Sequence, residues 1–304
     1  MKLLLPEKSR IFEDHIHKIA DIIVNAAHDK IAFVILFGSF ARGDWVRDRY
    51  SEGNVVYEYA SDFDFLVVTN PKENDEESFI SFDLDRKIKR EIDKKIVVRE
   101  DHKIHLVIES FNYVNSELEK GRYFFSDIKK EGILLFNSGQ FVLADPRPLS
   151  LAKMKAITQA DCEHWLGKAE GFSISFKAVF AENLYSDAAF QLHQLAESLY
   201  NCALLTLTGY KPKTHDLEEL NQLCCVQSNV FLTIFPVGDE KHKNAFKMLQ
   251  RAYVEARYNK DYKITKEALE YLLERINRLK EIVVKICKVH IQPNSKYLTS
   301  DENS

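Results

Sequence analysis

Residues 31–44 read IAFVILFGSFARGD and residues 61–69 read SDFDFLVVT, and the fold turns on these two stretches. The first opens with Ile31 to Phe37, the longest uninterrupted apolar run in the chain. Its length and its β-branched and aromatic content predict a buried strand. That strand feeds directly into Gly38-Ser39. Gly38 has no Cβ, so backbone N–H groups there can approach an anion closely, and the Ser39 hydroxyl can donate a further hydrogen bond. The pair therefore reads as a phosphate cradle, although not as a P-loop, because no GxxxxGK[ST] is present. In the second stretch Asp62 and Asp64 stand two apart at the start of a strand, so both carboxylates project to one face. Two hard carboxylates there can hold Mg²⁺ beside a triphosphate, as phosphoryl or nucleotidyl transfer requires. An Asp pair by itself also fits a solvated strand end; the upstream Gly-Ser favours the metal.

Ile11 to Ala27 has the period of an amphipathic helix, with Ile11, Phe12, Ile16, Ile19, Ile22 and Ile23 on its apolar side. KIHLVIES (Lys103 to Ser110) reads as a strand, and ILLFNSGQFVL (Ile133 to Leu143) as a hairpin about Asn137 to Gly139. Glu77 to Lys94 and Tyr113 to Glu131 read as helices. Residues 1–150 thus form an α/β domain. DPRPLS (Asp145 to Ser150) carries two prolines and ends the strand pattern. Beyond it the period is helical throughout, with helices expected near 155–181, 184–209, 214–228, 240–258 and 265–290. Gly209 should close the second of these and Thr214 should cap the third. Leu269, Leu272, Leu273, Ile276, Leu279, Ile282, Val283 and Ile286 share one face of the last. Residues 151–292 are therefore an all-α bundle, and 293–304 a polar tail expected to fray.

Composition sets the outer limits. A chain of 304 residues, 45% apolar and 29% charged, suits about two globular domains. A net charge of −4 excludes a polybasic nucleic-acid binder as a whole, and only local patches remain, such as Lys241 to Lys296 with 14 basic and 6 acidic residues. No apolar run approaches the roughly 20 residues of a membrane span, and the N-terminus lacks the features of a secretory signal. Five cysteines, odd in number and without CxxC spacing, suggest a reduced cytoplasmic setting with neither a disulfide framework nor a zinc site.

The strand, Gly-Ser turn and acid-x-acid strand together resemble the nucleotidyltransferase superfamily typified by DNA polymerase β, in its minimal branch. Gly38, Ser39, Asp62 and Asp64 match that family's motif, and Arg42 and Gly43 continue its GSxARG form. The resemblance implies a mixed sheet with flanking helices, ATP or another NTP held with Mg²⁺ on Asp62 and Asp64, and phosphate contacts from Gly38, Ser39 and Arg42. Arg42 equally suits a surface ion pair. The 22 residues between Ser39 and Asp62 exceed the family's usual spacing, which makes Asp44 to Ala60 an insertion. On KIHLVIES, His105, Val107 and Glu109 share a face. Alignment puts His105 where the family has a third acid, leaving Glu109 as the nearest carboxylate substitute and His105 as either a candidate general base or a hydrogen-bonded rim residue.

The second half, through DAAFQLHQLAESLYNCALLTLTGYKPKTHDLEEL and RAYVEARYNKDYKIT, resembles HEPN domains over about 155–290. Ala189, Leu192, Ala196 and Leu199 would form a tight helix seam that could support a homodimer. HEPN ribonucleases place a His a few residues after an Arg, whereas Arg257 here is followed by Tyr258, Asn259, Lys260, Asp261 and Tyr262. That argues against ribonuclease activity and leaves an Arg257, Tyr258 and Tyr262 pocket for nucleotide or RNA. His215, at a helix start, reads as structural. The two resemblances imply nucleotidyl transfer to a hydroxyl. The acceptor would be a protein tyrosine, with Tyr258 and Tyr262 as candidates by likeness to toxin–antitoxin pairs, or a small molecule such as an aminoglycoside. The competing expectation is a nucleotide- or RNA-binding regulatory protein with a weakened site.

Overall fold

A computed structural model of the chain describes residues 1–27, 30–52, 55–70, 77–96, 103–235 and 240–291. It divides into two compact units, residues 1–148 and 149–304.

The first unit is built on β1 (Ile31–Phe37), whose residues 31–36 are all nearly inaccessible because both faces of the strand are covered. Its neighbours are β4 (Phe63–Thr69) on one side and β6 (Ile133–Asn137) on the other, both antiparallel; β5 (Ile104–Ser110) lies parallel to β4. The sheet is mixed, in the order β5-β4-β1-β6. Helix α1 (Glu13–Ala27) buries Ile16, Ile19, Ile22 and Ile23, and α3 (Glu77–Lys95) buries Leu84, Ile88 and Ile92, in one core with the strands. Four apolar side chains on one helical stripe explain why α1 docks. Between β1 and β4 stand the short α2 (Gly38–Arg42) and a hairpin of β2 (Arg47–Glu52) and β3 (Val55–Ala60), which accounts for the insertion.

Three expectations change. A 3₁₀ turn over Glu7–Phe12 precedes α1, and its tighter winding shifts the helical phase, so Ile11 is 75% exposed. The helix expected over 113–131 is two, α4 (Phe111–Glu119) and α5 (Tyr123–Glu131), separated at Gly121, which sits at φ +73°. The hairpin after β6 does not form. Gly139 N–H turns back to Asn137 Oδ1 (2.9 Å), and the outer edge of β6 is already paired by Lys2, whose backbone bonds to Gly132 and Leu134 (2.9 Å each). Lys2 thus occupies the edge of β6 around Ile133, where a returning strand would end its pairing.

The second unit consists of α6 (Leu151–Ala181), α7 (Tyr185–Thr208), α8 (Leu217–Gln227), α9 (Glu240–Tyr258) and α10 (Lys266–Ile291). Gly209, at φ +69°, closes α7 as its left-handed conformation allows. The cap of α8 is Asp216 rather than Thr214: its carboxylate accepts from the N–H groups of Glu218 and Glu219 (2.9 and 3.0 Å), while Thr214 Oγ1 accepts from Asp216 N–H. The seam of Ala189, Leu192, Ala196 and Leu199 is wholly inaccessible, covered inside the unit by its own helices, and offers nothing to a second copy. Among the described residues no helix is long and apolar enough to cross a membrane. The polar tail, 293–304, lies outside the described residues.

Two glycines should respond with opposite signs. Gly121→Ala forces a Cβ into the left-handed region and should lower stability by about 1 kcal/mol, whereas Gly167→Ala, inside α6 with open space around the new Cβ, should raise it by about 0.5–1 kcal/mol. Urea unfolding followed by circular dichroism measures both.

Candidate active site beside the Gly38 turn

Register assembles the first site. Pairing of β1 with β4 sets Phe37 opposite Asp64, so the chain leaves β1 at Gly38 directly against that carboxylate. A Cβ built on Gly38 would lie 2.3 Å from Asp64 Oδ2, and Gly38 itself sits at φ +73°. Only glycine satisfies both conditions. Ser39 follows at once, half-buried, and its carbonyl accepts from Gly43 and Asp44 N–H (2.8 and 3.1 Å) to close the turn. Beneath it Phe40 is fully buried, packed on Phe63 (4.2 Å between centroids) and stacked on Trp45 (5.3 Å). Ser9 Oγ donates to the Phe40 carbonyl (2.7 Å). The turn is therefore held from below by apolar packing and from the side by backbone bonds.

Parallel pairing of β4 with β5 puts His105 beside Asp64, and His105 Nδ1 lies 2.9 Å from Asp64 Oδ1. The carboxylate accepts, so Nδ1 carries the proton and Nε2 is the basic nitrogen of the neutral ring. Asp62 is close enough to feel the pair. Burial and then the Asp64 charge raise its carboxyl above the ordinary value, opposed by the charges of His105 and Lys103 and by a backbone hydrogen bond from Lys103. Gly38, Asp64 and His105 are thus in contact, and Asp62 lies within range of their charges.

The structure does not bring every candidate there. Glu109 faces the same side of β5 as His105, but four residues further along, about 13 Å at the rise of a strand. It is 1% exposed and pairs in register with Val68. Its charge acts instead on Tyr113, whose phenol is pushed up to about 12 by burial first and then by Glu117 and Glu109. Arg42 is exposed and paired with Asp44 (3.1 Å).

In the second unit Arg257 donates to the Tyr253 carbonyl through Nε (2.8 Å) and a terminal nitrogen, and lies over the rings of Phe190, Tyr253 and Tyr258 (4.8, 4.7 and 5.1 Å). Tyr262 is 4% exposed and donates its hydroxyl to the Met248 carbonyl (2.9 Å); burial pushes its phenol up. Tyr258 is 77% exposed. The three residues do not line one pocket: Tyr262 is sealed into the core and Tyr258 faces solvent.

Residues 162–287 match the family model of the HEPN domain. This stretch of the second unit is a HEPN domain. No curated protein matches the chain. A HEPN domain points to a nucleotide- or RNA-related, toxin–antitoxin or defence role. In this HEPN domain His215, expected to be structural, is half-exposed, with Nδ1 3.0 Å from both Glu197 oxygens and its ring stacked on Tyr253 (4.3 Å). His193 is buried beside them, its Nδ1 donating to the Leu249 carbonyl (3.0 Å) and its Nε2 3.8 Å from Glu197; burial pushes its pKa down. Sequence reasoning missed Glu197, His193 and Tyr253. The available signal was a His and a Glu four apart on an otherwise apolar helix. Part of the basic charge in 241–296 is engaged locally: Arg251 with Glu255, Lys280 with Glu170, and Arg275 with the carbonyls of Thr233 and Ile234. Residues 292–296 lie outside the described residues.

Gly38→Ala should displace the Asp64 carboxylate and break its bond to His105. NMR should then show loss of the hydrogen-bonded Nδ1–H proton signal of His105 as its carboxylate acceptor withdraws. Asp62 makes a second test. Its raised pKa means that ionising it costs stability, a penalty absent below the ordinary carboxylate range and complete above the raised value. Asp62→Asn should accordingly raise the melting temperature at pH 7 and leave it nearly unchanged near pH 3.

Proposed function

We propose that the first unit binds ATP or another nucleoside triphosphate with Mg²⁺ and transfers the nucleoside monophosphate to a hydroxyl. The observation that carries this reading is the contact of the Gly38 backbone with Asp64, which joins an anion-accommodating turn to a carboxylate pair. The donor chemistry fits the metal: Asp62 and Asp64 offer hard oxygens within reach of each other's charge, and Mg²⁺ takes one or two carboxylates and completes its shell with phosphates and water. Bound there, Mg²⁺ would offset charge on the α-phosphate and the departing pyrophosphate.

The chain's own residues have separable roles. Backbone N–H groups at Gly38 and Ser39, with the Ser39 hydroxyl, would hold the triphosphate; Arg42 would contribute only by leaving Asp44. The acceptor oxygen attacks the α-phosphorus, the bond to the bridging oxygen of pyrophosphate breaks, and the acceptor's proton passes to a base. His105 supports that role, because Asp64 fixes its tautomer with Nε2 as the proton acceptor. The acceptor is a protein tyrosine or a small polyhydroxylated molecule such as an aminoglycoside. Of the two tyrosines considered, exposure favours Tyr258 and burial disfavours Tyr262.

A second reading is a nucleotide- or RNA-binding regulator with a weakened site. It is favoured by one observation: a histidine stands beside Asp64 in the place of a third acid, with Glu109 about 13 Å away along the strand.

Incubation with ATP labelled on the α-phosphate and Mg²⁺ tests the proposal. Label should reach the protein or an added acceptor, fall at least about 100-fold in Asp62→Ala/Asp64→Ala, and fall in His105→Ala with a changed pH profile. Tyr258→Phe should abolish self-labelling if that hydroxyl is the acceptor. Transfer that persists in the double variant overturns the site, and tight nucleotide binding without turnover supports the regulator.

A further inference from the structure

Cys162 on α6, Cys202 on α7 and Cys287 on α10 come from three helices far apart in the chain, yet their sulfurs all lie within 4.8 Å of one another. The Cys202 and Cys287 sulfurs are 3.6 Å apart. All three side chains are buried, at 2%, 0% and 3% exposure. One turn beyond Cys202, Thr206 places Oγ1 at 3.2 Å from the Cys162 sulfur and 3.6 Å from that of Cys287. The Thr206 hydroxyl donates its proton to the Cys202 carbonyl (2.8 Å), so its oxygen turns lone pairs toward the sulfurs. Cysteines used only as small apolar residues have no reason to aim at a common point. Cys224 shows the contrast: equally buried, it points to the Tyr200 carbonyl.

We propose that Cys162, Cys202 and Cys287, with Thr206 Oγ1 in the fourth position, form a closed structural site for a thiophilic divalent cation of the zinc class. Metal–sulfur bonds of about 2.3 Å put ligating sulfurs about 3.8–4.0 Å apart, a spacing the cluster reaches with small side-chain shifts. Three sulfur donors exclude Mg²⁺, Ca²⁺ and Mn²⁺ and leave zinc and cuprous copper as the biological candidates. Burial decides between them: three thiolates leave one net negative charge around a divalent ion and two around a monovalent one, and a dry core favours the smaller. As each sulfur–metal bond forms, the S–H proton leaves to solvent, and no redox change is involved. The ion would tie α6, α7 and α10 of the HEPN domain together.

The test uses the full-length protein, reduced and purified without chelator. One zinc per chain is expected, with an X-ray absorption shell of three sulfurs near 2.3 Å. Cobalt(II) titration should give a thiolate-to-metal charge-transfer band, with affinity at least about tenfold weaker in Cys202→Ala and Cys287→Ala and unchanged in Cys224→Ala. Substoichiometric metal, a shell of nitrogen and oxygen alone, a Cys202–Cys287 disulfide in the reduced preparation, or equal cobalt affinity in Cys287→Ala overturns the proposal. Should the alanine variants not fold, the absorption spectrum of the wild-type protein decides.

Discussion

The backbone of Gly38 lies where no other residue fits, against the Asp64 carboxylate, and the function proposed for the first unit depends on that approach. Nothing local produces it. Burial of β1 on both faces selects the strand pairing; the pairing of Phe37 with Asp64 then delivers the turn to the carboxylate, and the pairing of Asp64 with His105 delivers the imidazole. A slip of one residue in either ladder would send Asp64 to the opposite face and dissolve the cluster. Apolar contacts of Val34, Leu36, Phe63 and Phe65 in the core therefore determine where the polar groups meet.

Electrostatics gives the cluster its strained character. Asp62 and Asp64 repel each other where water is partly excluded, and His105 and Lys103 relieve only part of the cost. Such a pair costs stability, and the cation of the proposed function would offset that cost. The HEPN domain has its own polar seam of His193, Glu197 and His215 set against Tyr253, while Tyr262 is committed to the core through the Met248 carbonyl.

Much of this was legible in the sequence where one element suffices. IAFVILF and FDFLVVT declare strands, and the period of 3.6 locates α6, α7, α9 and α10 to within a few residues. Legibility failed where a distant partner decides. The segment after Asn137 has hairpin chemistry, but Lys2, distant in sequence, holds part of the edge it needs, at Ile133. Gly121 breaks a periodic stretch that otherwise reads as one helix. The Asp64–His105 bond requires knowing that β4 and β5 run parallel, and the meeting of Cys162, Cys202 and Cys287 requires three helices in place. Spacing rules for metal sites assume ligands close in sequence, so these cysteines carry no signal there.

In the proposed function a triphosphate lies across the Gly38-Ser39 turn with its magnesium on Asp62 and Asp64. A crystal structure of the full chain with Mg²⁺ and a non-hydrolysable ATP analogue is the decisive measurement. The expected result is a metal bridging both aspartates and the phosphates, with backbone N–H groups of Gly38 and Ser39 on the phosphate oxygens. An analogue bound elsewhere, or a magnesium ion that contacts neither carboxylate, would contradict it.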